Sequence, residues 1–126
     1  MEKGLTLDAG ALIAAEKGSR EFWLHWKDAK AEGTRVTVPA AVLAQVWRGN
    51  SPLVARVLAG CVVEDLTETS AKDIGAALGR ARRNDVVDAS VVTGAVARGD
   101  AILTSDPEDI RHLLAAAGAR LLILAV

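Results

Sequence analysis

The stretch that decides the fold reads Gly4-Leu5-Thr6-Leu7-Asp8-Ala9-Gly10-Ala11-Leu12-Ile13. Its opening residues, 4–7, are mostly apolar and are followed at once by an acid, which predicts a short buried strand that ends at Asp8. The alanine-rich run 11–16 that comes next favours a helix. A strand, an acid and a helix in so short a stretch are typical of the first unit of an α/β fold.

The same alternation continues to the end of the chain. Further strands are predicted at 35–38, 61–63, 101–104 and 120–126, and further helices at 20–32, 39–48, 52–58, 70–82, 85–98 and 107–117. The strands are apolar without alternation, as in parallel sheets that are covered by helices on both faces. We therefore expect a single α/β domain over residues 1–126, a three-layer α/β/α fold with a central, mostly parallel sheet.

Charge and composition limit the partners of the whole molecule. The formal net charge of the 126 residues is −1, so affinity for a polyanion must come from a local patch or from bound cations. The only cysteine, Cys61, cannot form an internal disulfide. The first residues lack a signal-peptide pattern, and no apolar run approaches the roughly 18 residues that span a bilayer. A cytoplasmic protein without a membrane partner is expected.

Three acids stand where a parallel sheet places its ligand site, beyond the carboxyl ends of the strands. Asp8 follows one strand directly, and Asp106 follows another after one intervening residue. Asp88 lies among valines and alanines near the start of a helix, where a lone charge needs a partner or a metal. Two of these acids also have a purely structural interpretation, a turn at Asp8 and a helix N-cap at Asp106 before Pro107. A fourth acid, Asp85, lies three residues before Asp88, and for it the N-cap interpretation is favoured.

Carboxylates gathered at one edge of a sheet repel each other unless a cation lies between them. Mg²⁺ and Mn²⁺ prefer oxygen ligands, and they can polarise a phosphodiester, lower the pKa of a bound water and stabilise the leaving oxygen. The pattern therefore favours phosphodiester hydrolysis with Mg²⁺ (or Mn²⁺) as cofactor. His25 and His112 are isolated in the sequence, so a zinc site is not expected.

Four segments resemble, in order, the motifs of PIN domains, particularly those of VapC-type toxins. They are residues 7–13, 38–49, 85–89 and 102–109, and together they extend over essentially the whole chain. The resemblance implies a metal-dependent endoribonuclease that acts on RNA and carries a quartet of acids. It also implies the toxin of a VapBC-type toxin–antitoxin pair, with a cognate antitoxin that blocks the site, and commonly a homodimer.

The resemblance carries three acids over directly, Asp8, Asp88 and Asp106, as catalytic residues and metal ligands. The family's second acid is expected at position 45, where this chain has Gln45. An amide oxygen can still bind a metal, but it brings no charge. Glu16, on the helix after Asp8, is our candidate for the missing catalytic acid.

Substrate contacts are expected from two groups of residues beside these acids. Thr104 and Ser105 are candidates for contacting the phosphate, although a strand end alone also explains them. The compact basic cluster Arg80, Arg82 and Arg83 is a candidate for gripping RNA phosphates. Its alternative is a solvated helix end, where cations complement the helix dipole.

Two rival functions remain at this point. A PIN-like RNA-binding module without catalysis is supported by Gln45. An aspartyl-phosphate protein with Asp8 as nucleophile needs a lysine late in the chain, and none follows Lys72. The sequence therefore favours the ribonuclease, with the inactive module as the main alternative.

Overall fold

The computed structural model describes residues 4–126, which form an α/β structure around a five-stranded sheet. The strands are β1 (Leu5–Leu7), β2 (Val36–Pro39), β3 (Val62–Glu64), β4 (Ala101–Thr104) and β5 (Ile123–Ala125). Their order in the sheet is β3-β2-β1-β4-β5, and all pairings are parallel. All five carboxyl ends therefore open on one edge, with β1 in the middle. The predicted parallel α/β fold is confirmed.

Seven helices within the described residues flank the sheet. They are α1 (Ala9–Glu16), α2 (Arg20–Ala31), α3 (Ala40–Val46), α4 (Pro52–Ala59), α5 (Glu68–Ala81), α6 (Val86–Arg98) and α7 (Pro107–Ala116). None of these helices has the length and apolar character that crossing a bilayer requires.

The core is formed by the central strands and the helices packed on them. Every residue of β1 and β2 is buried, and so are Ile102, Leu103 and Thr104 of β4. The edge strand β3 differs, because its Val62 and Val63 side chains are 42% and 37% exposed. The helices therefore cover this edge strand less completely than the central strands.

Several helices and strands begin or end a few residues away from their predicted boundaries. Helix α5 begins at Glu68 rather than at residue 70, because Thr67 is its N-cap: the Thr67 hydroxyl accepts from the Ser70 N–H, and the Ser70 hydroxyl accepts from the Thr67 N–H. This reciprocal capping normally uses Glu or Gln as the second partner, so a serine there is easily missed. The last strand is also shorter than predicted, Ile123–Ala125.

Candidate active site

Asp8 is held between the two central strands, at the point where β1 gives way to α1. It is 3% exposed. Its backbone N–H donates to the Leu103 carbonyl at 3.1 Å, and its Oδ1 accepts from the Ala11 N–H at 2.7 Å. Asp8 is thus both the N-cap of α1 and a buried acid at the carboxyl edge of the sheet.

The charged form of the Asp8 carboxyl is disfavoured in this position. Burial raises its pKa, and this effect outweighs the hydrogen-bond donors that lower it, the Thr104 hydroxyl and the N–H groups of Ala11 and Ser105. The negative charge of Asp106 raises it further. A buried carboxyl of this kind is a ready ligand for a cation that would restore its charged form.

Asp106 follows β4 and is the N-cap of α7. Its N–H donates to the Thr104 hydroxyl oxygen at 2.8 Å, and its Oδ1 accepts from the Asp109 N–H at 3.4 Å. Thr104 is completely buried. Because the Thr104 hydroxyl serves both Asp106 and the Asp8 carboxylate, it ties the two acids to each other.

Asp88 approaches the same place from the first turn of α6. The cap of that helix is Asp85, whose Oδ1 accepts from the Asp88 N–H at 3.0 Å, so the N-cap interpretation of Asp85 is correct. The pKa of Asp88 is raised to about 7, first by burial and then by the negative charges of Asp85, Asp8, Asp109 and Asp106. We call these five acids the aspartate cluster.

The chemistry of the cluster fits a hard divalent cation, although its side chains do not form a complete coordination site. Among residues 4–126 no three Asp, Glu, His or Cys side chains converge closely enough to hold an ion as they stand. The donors are all carboxylate oxygens, which Mg²⁺ and Mn²⁺ prefer. Burial first and the mutual repulsion of the acids second raise the pKa of Asp88, and a bound cation would offset both effects.

Of the three arginines predicted to contact substrate, Arg83 lies closest to the cluster. It lines a small pocket together with Asp85, Asp88 and Asp109. The pKa of Asp109 is raised by its hydrogen bond with Asp106, and the positive charge of Arg83 opposes that rise. Arg80 is exposed in the last turn of α5, and Arg82 ends that helix in a left-handed conformation, with φ of 56°.

The structure does not bring Glu16 to the cluster. Asp8 caps one end of α1 and Glu16 ends the other, so their Cα atoms are about 12 Å apart along the helix. The Glu16 carboxylate accepts instead from the Ser51 hydroxyl at 2.8 Å. Gln45 is exposed on α3, which packs against α1 and α6.

Asp109 is a cluster member that is not among the predicted site residues. It stands three residues after Asp106, just as Asp88 stands three residues after Asp85. In both pairs the first acid caps a helix and the second lies in its first turn. The repeated spacing, an acid that caps a helix and a second acid three residues later, is visible in the sequence and could have indicated Asp109.

Comparison with known proteins rests on structure alone, since no family model and no curated protein matches the sequence. The structure described as VapBC2 from Rickettsia felis, bound to a DNA fragment from their promoter, matches with a TM-score of 0.73. The match covers 97% of this chain and 98% of that chain at 12% sequence identity. The chain has a PIN-like fold.

Two further structures support the PIN-like fold. FitAB bound to an IR36 DNA fragment matches with a TM-score of 0.63 at 12% identity, over 96% of this chain and 94% of that one. PAE2754 from Pyrobaculum aerophilum matches with a TM-score of 0.58 at 19% identity, over 97% and 92%. At such identities the likeness establishes the PIN-like fold, which is also that of VapC-type toxins.

Proposed function

We propose that this chain is a Mg²⁺- or Mn²⁺-dependent endoribonuclease that hydrolyses RNA phosphodiesters. The observation that carries the proposal is the aspartate cluster at the carboxyl edge of a PIN-like sheet, with the pKa of Asp88 raised to about 7. A carboxyl in that state, surrounded by four other acids, is typical of sites that work with a cation.

In this proposal Asp8, Asp88 and Asp106 hold the cation. When bound, the cation offsets the charge of the phosphodiester and makes water a better nucleophile. The chain's own part is to fix the ligands: the Ala11 N–H orients Asp8, and the Thr104 hydroxyl keeps Asp106 beside it. The exposed Ser105 hydroxyl is free to donate to a phosphate oxygen.

Arg83 is the residue that we assign to the RNA backbone. Its position at the rim of the pocket formed with Asp85, Asp88 and Asp109 lets it meet a phosphate that approaches the cluster. Arg80 and Arg82 extend the same basic segment and add long-range attraction for RNA. This local patch compensates for the net charge of −1 of the whole chain.

We further propose that the chain is the toxin of a VapBC-type pair, blocked by a cognate antitoxin and active as a homodimer. Support comes from the likeness to VapBC2 and FitAB, each named as a two-component assembly. Growth arrest on expression of the native chain, absent with Asp8→Asn, tests the toxin role. Light scattering of the purified protein tests the dimer, and a mass equal to one chain would contradict it.

A second candidate, a PIN-like RNA-binding module without catalysis, is favoured by two observations. Gln45 stands at the position of an expected acid, and the described acids do not converge on one point. Gln45→Glu distinguishes the two functions. Cleavage that appears only with the added acid would mean that the native chain binds RNA without cutting it.

The proposal is tested by calorimetric titration of Mn²⁺ into the native chain, Asp88→Ala and Glu16→Gln, with Asp28→Ala as control. Asp28 is an exposed acid on α2, outside the aspartate cluster. We expect binding to be lost in Asp88→Ala and kept in the other two. No binding to the native chain would overturn the metal-dependent proposal, and loss in Glu16→Gln would return that residue to the site.

A further inference from the structure

A cleft lies beside the aspartate cluster on the same edge of the sheet. Its volume is about 120 Å³, and it is walled by the ends of β2 and β3, the start of α3, the first half of α5 and one side of α6. Glu64 ends β3, which is two strands away from β1 and its Asp8. With neighbouring strands about 4.8 Å apart, the cleft lies roughly 10 Å from the cluster, within the reach of one nucleotide.

Three carboxylates line the cleft, the exposed Asp65 and Asp73 and the partly buried Glu64. Glu64 is the one that a half-buried arginine fixes. Its Oε2 accepts from Arg98, whose side chain is 19% exposed. Arg98 is fixed in turn, because its Nε donates to Asp100 at 2.8 Å and its second terminal nitrogen donates to the Thr6 hydroxyl at 2.9 Å. Glu64 therefore has a set position, and Arg98 already offsets its charge.

The second oxygen of Glu64 remains available to a ligand. Oε1 lies against Gly94, where an added Cβ would be 2.5 Å from it. Gly94 and Glu64 both line the cleft. Since Arg98 balances the negative charge, Oε1 calls for a neutral hydrogen-bond donor more than for a second cation.

Two hydroxyls of α6 complete the polar side of the cleft. The Thr93 Oγ1 is buried and has no hydrogen-bond partner. Ser90 is 5% exposed, and its hydroxyl already donates to the Val87 carbonyl at 2.6 Å, so that it can only accept from a ligand. The Thr93 O–H can thus donate to a ligand, and Glu64 Oε1 can accept from it. The pair suits a ligand that carries a hydrogen-bond acceptor next to a donor.

Four apolar side chains form the flat part of the remaining wall: Pro39, Ala40, Leu66 and Ile74. Asp65, Ser70 and Asp73 stand beside them and make this side of the cleft partly polar. A closed cavity of about 150 Å³ accommodates benzene. A partly open cleft of about 120 Å³ therefore has room for about one ring inside it. An apolar slot with a few polar groups is the usual form of a site for a small aromatic ligand.

We propose that this cleft is a base subsite that takes a cytosine of the RNA substrate, an inference that rests on the proposed ribonuclease function. The amino group of cytosine donates to Glu64 Oε1, and the neighbouring ring nitrogen accepts from the Thr93 hydroxyl. Uracil turns a carbonyl oxygen toward Glu64 and is rejected. Adenine offers the same donor and acceptor, but its second ring would lie outside the cleft of about 120 Å³ and gain fewer contacts.

Nucleoside binding tests the subsite without metal or catalysis. Cytidine, uridine and adenosine are titrated into the native ¹⁵N-labelled chain while the amide resonances are followed. We expect cytidine to shift the Thr93 and Gly94 resonances with an affinity roughly tenfold above that of uridine. Equal affinity for the two pyrimidines, tighter binding of adenosine, or shifts confined to other regions would overturn the proposal.

Two variants localise the binding. Thr93→Val removes the hydroxyl at nearly constant shape, and we expect cytidine affinity to fall roughly tenfold while the melting temperature does not fall. Gly94→Ala moves the Glu64 carboxylate and should lower cytidine affinity as well, whereas Gly75→Ala, whose added Cβ would meet nothing within 4 Å, should not. Native-like cytidine binding in Thr93→Val would overturn the assignment.

Cleavage separates this inference from the function on which it rests. A uridine oligonucleotide with a single cytidine should be cut mainly beside the cytidine, and Thr93→Val should cut it without that preference. Cytidine binding with no cleavage by the native chain would overturn the ribonuclease and leave the subsite standing. Cleavage without base preference, together with no cytidine binding, would overturn the subsite and leave the ribonuclease standing.

Discussion

The hydroxyl of Ser105 occupies the space that a side chain at Gly10 would need: a Cβ built on Gly10 would lie 1.7 Å from Ser105 Oγ and 2.7 Å from Ser105 Cβ. The start of α1 and the segment after β4 therefore touch through backbone and hydroxyl alone. Asp8 immediately precedes α1, and Asp106 follows Ser105. This contact keeps two acids of the aspartate cluster side by side.

Gly10→Ala should separate those two acids. Ser105 must move away from the added methyl, and overpacking of this kind costs about 1–3 kcal/mol of unfolding free energy. We expect weaker Mn²⁺ binding together with a lower melting temperature. Gly79→Ala is the matched control, since its Cβ would meet nothing within 4 Å on α5. Unchanged Mn²⁺ affinity in Gly10→Ala would contradict the role of this contact.

Thr104→Val should weaken metal binding at little cost in shape. The buried Thr104 hydroxyl oxygen accepts from the Asp106 N–H at 2.8 Å, and its loss leaves that N–H unpaired, a cost of about 1–3 kcal/mol. The pKa of Asp8 should also rise, because the Thr104 hydroxyl lowers it. Chemical denaturation and Mn²⁺ calorimetry measure the two effects. Thr104→Ser keeps the hydroxyl and should behave like the native chain in both.

The metal-free protein should become less stable as the pH rises from about 4 to about 7. Asp88 has a pKa of about 7 in the folded chain against 3.8 as its ordinary value, so the folded state holds its proton over a range where the unfolded state has lost it. That stabilisation is present at the acidic end and is lost as the pH passes 7. Thermal melts in a chelator measure it, and Asp88→Asn should flatten the profile.

Added Mg²⁺ should reverse that trend. A cation binds the deprotonated acids, so its stabilising effect should grow with pH, and metal binding should release protons. Melts at about pH 5 and about pH 8, each with and without Mg²⁺, give the comparison. A Mg²⁺ effect of equal size at both values would show that the cation does not bind where Asp88 titrates.

Arg83→Gln should lower RNA affinity more than Arg80→Gln does. Both arginines are exposed, but only Arg83 lines the pocket with Asp85, Asp88 and Asp109. Each lost phosphate contact should also reduce the salt dependence of binding by about one ion. Fluorescence anisotropy of a labelled RNA with Asp8→Asn as the background avoids cleavage during the measurement. Equal effects of the two changes would argue for diffuse attraction.

The sequence predicted the fold through local signals that act over a few residues. The apolar strands and the helices between them followed from composition, and the N-caps at Asp85 and Asp106 followed from residue type. The exposure of Val62 and Val63 did not, because it depends on β3 being an edge strand. Strand order is set by long-range packing, which local patterns do not encode.

In the site too, features set by local sequence were predictable and features set by long-range packing were not. The location of Asp8, Asp88 and Asp106 was predictable, because each follows a strand or begins a helix at the sheet's carboxyl edge. Their role as metal ligands stays a prediction. The side chain of Glu16 was placed by spacing along α1 alone, and its actual partner, Ser51, lies 35 residues away in the sequence. The Arg98 network could not be predicted either. Asp100 is close to Arg98 in the sequence, but Glu64 and Thr6 lie 34 and 92 residues away from it.

The measurement that tests the central claim most directly is cleavage of an end-labelled RNA by the native chain and by Asp8→Asn, each with Mn²⁺ or with a chelator. We expect internal cuts by the native chain only when Mn²⁺ is present, and none by Asp8→Asn, whose melting curve should show that it is folded. Cleavage that persists in Asp8→Asn, or in the chelator, would contradict the assignment of the aspartate cluster as a metal-dependent ribonuclease site.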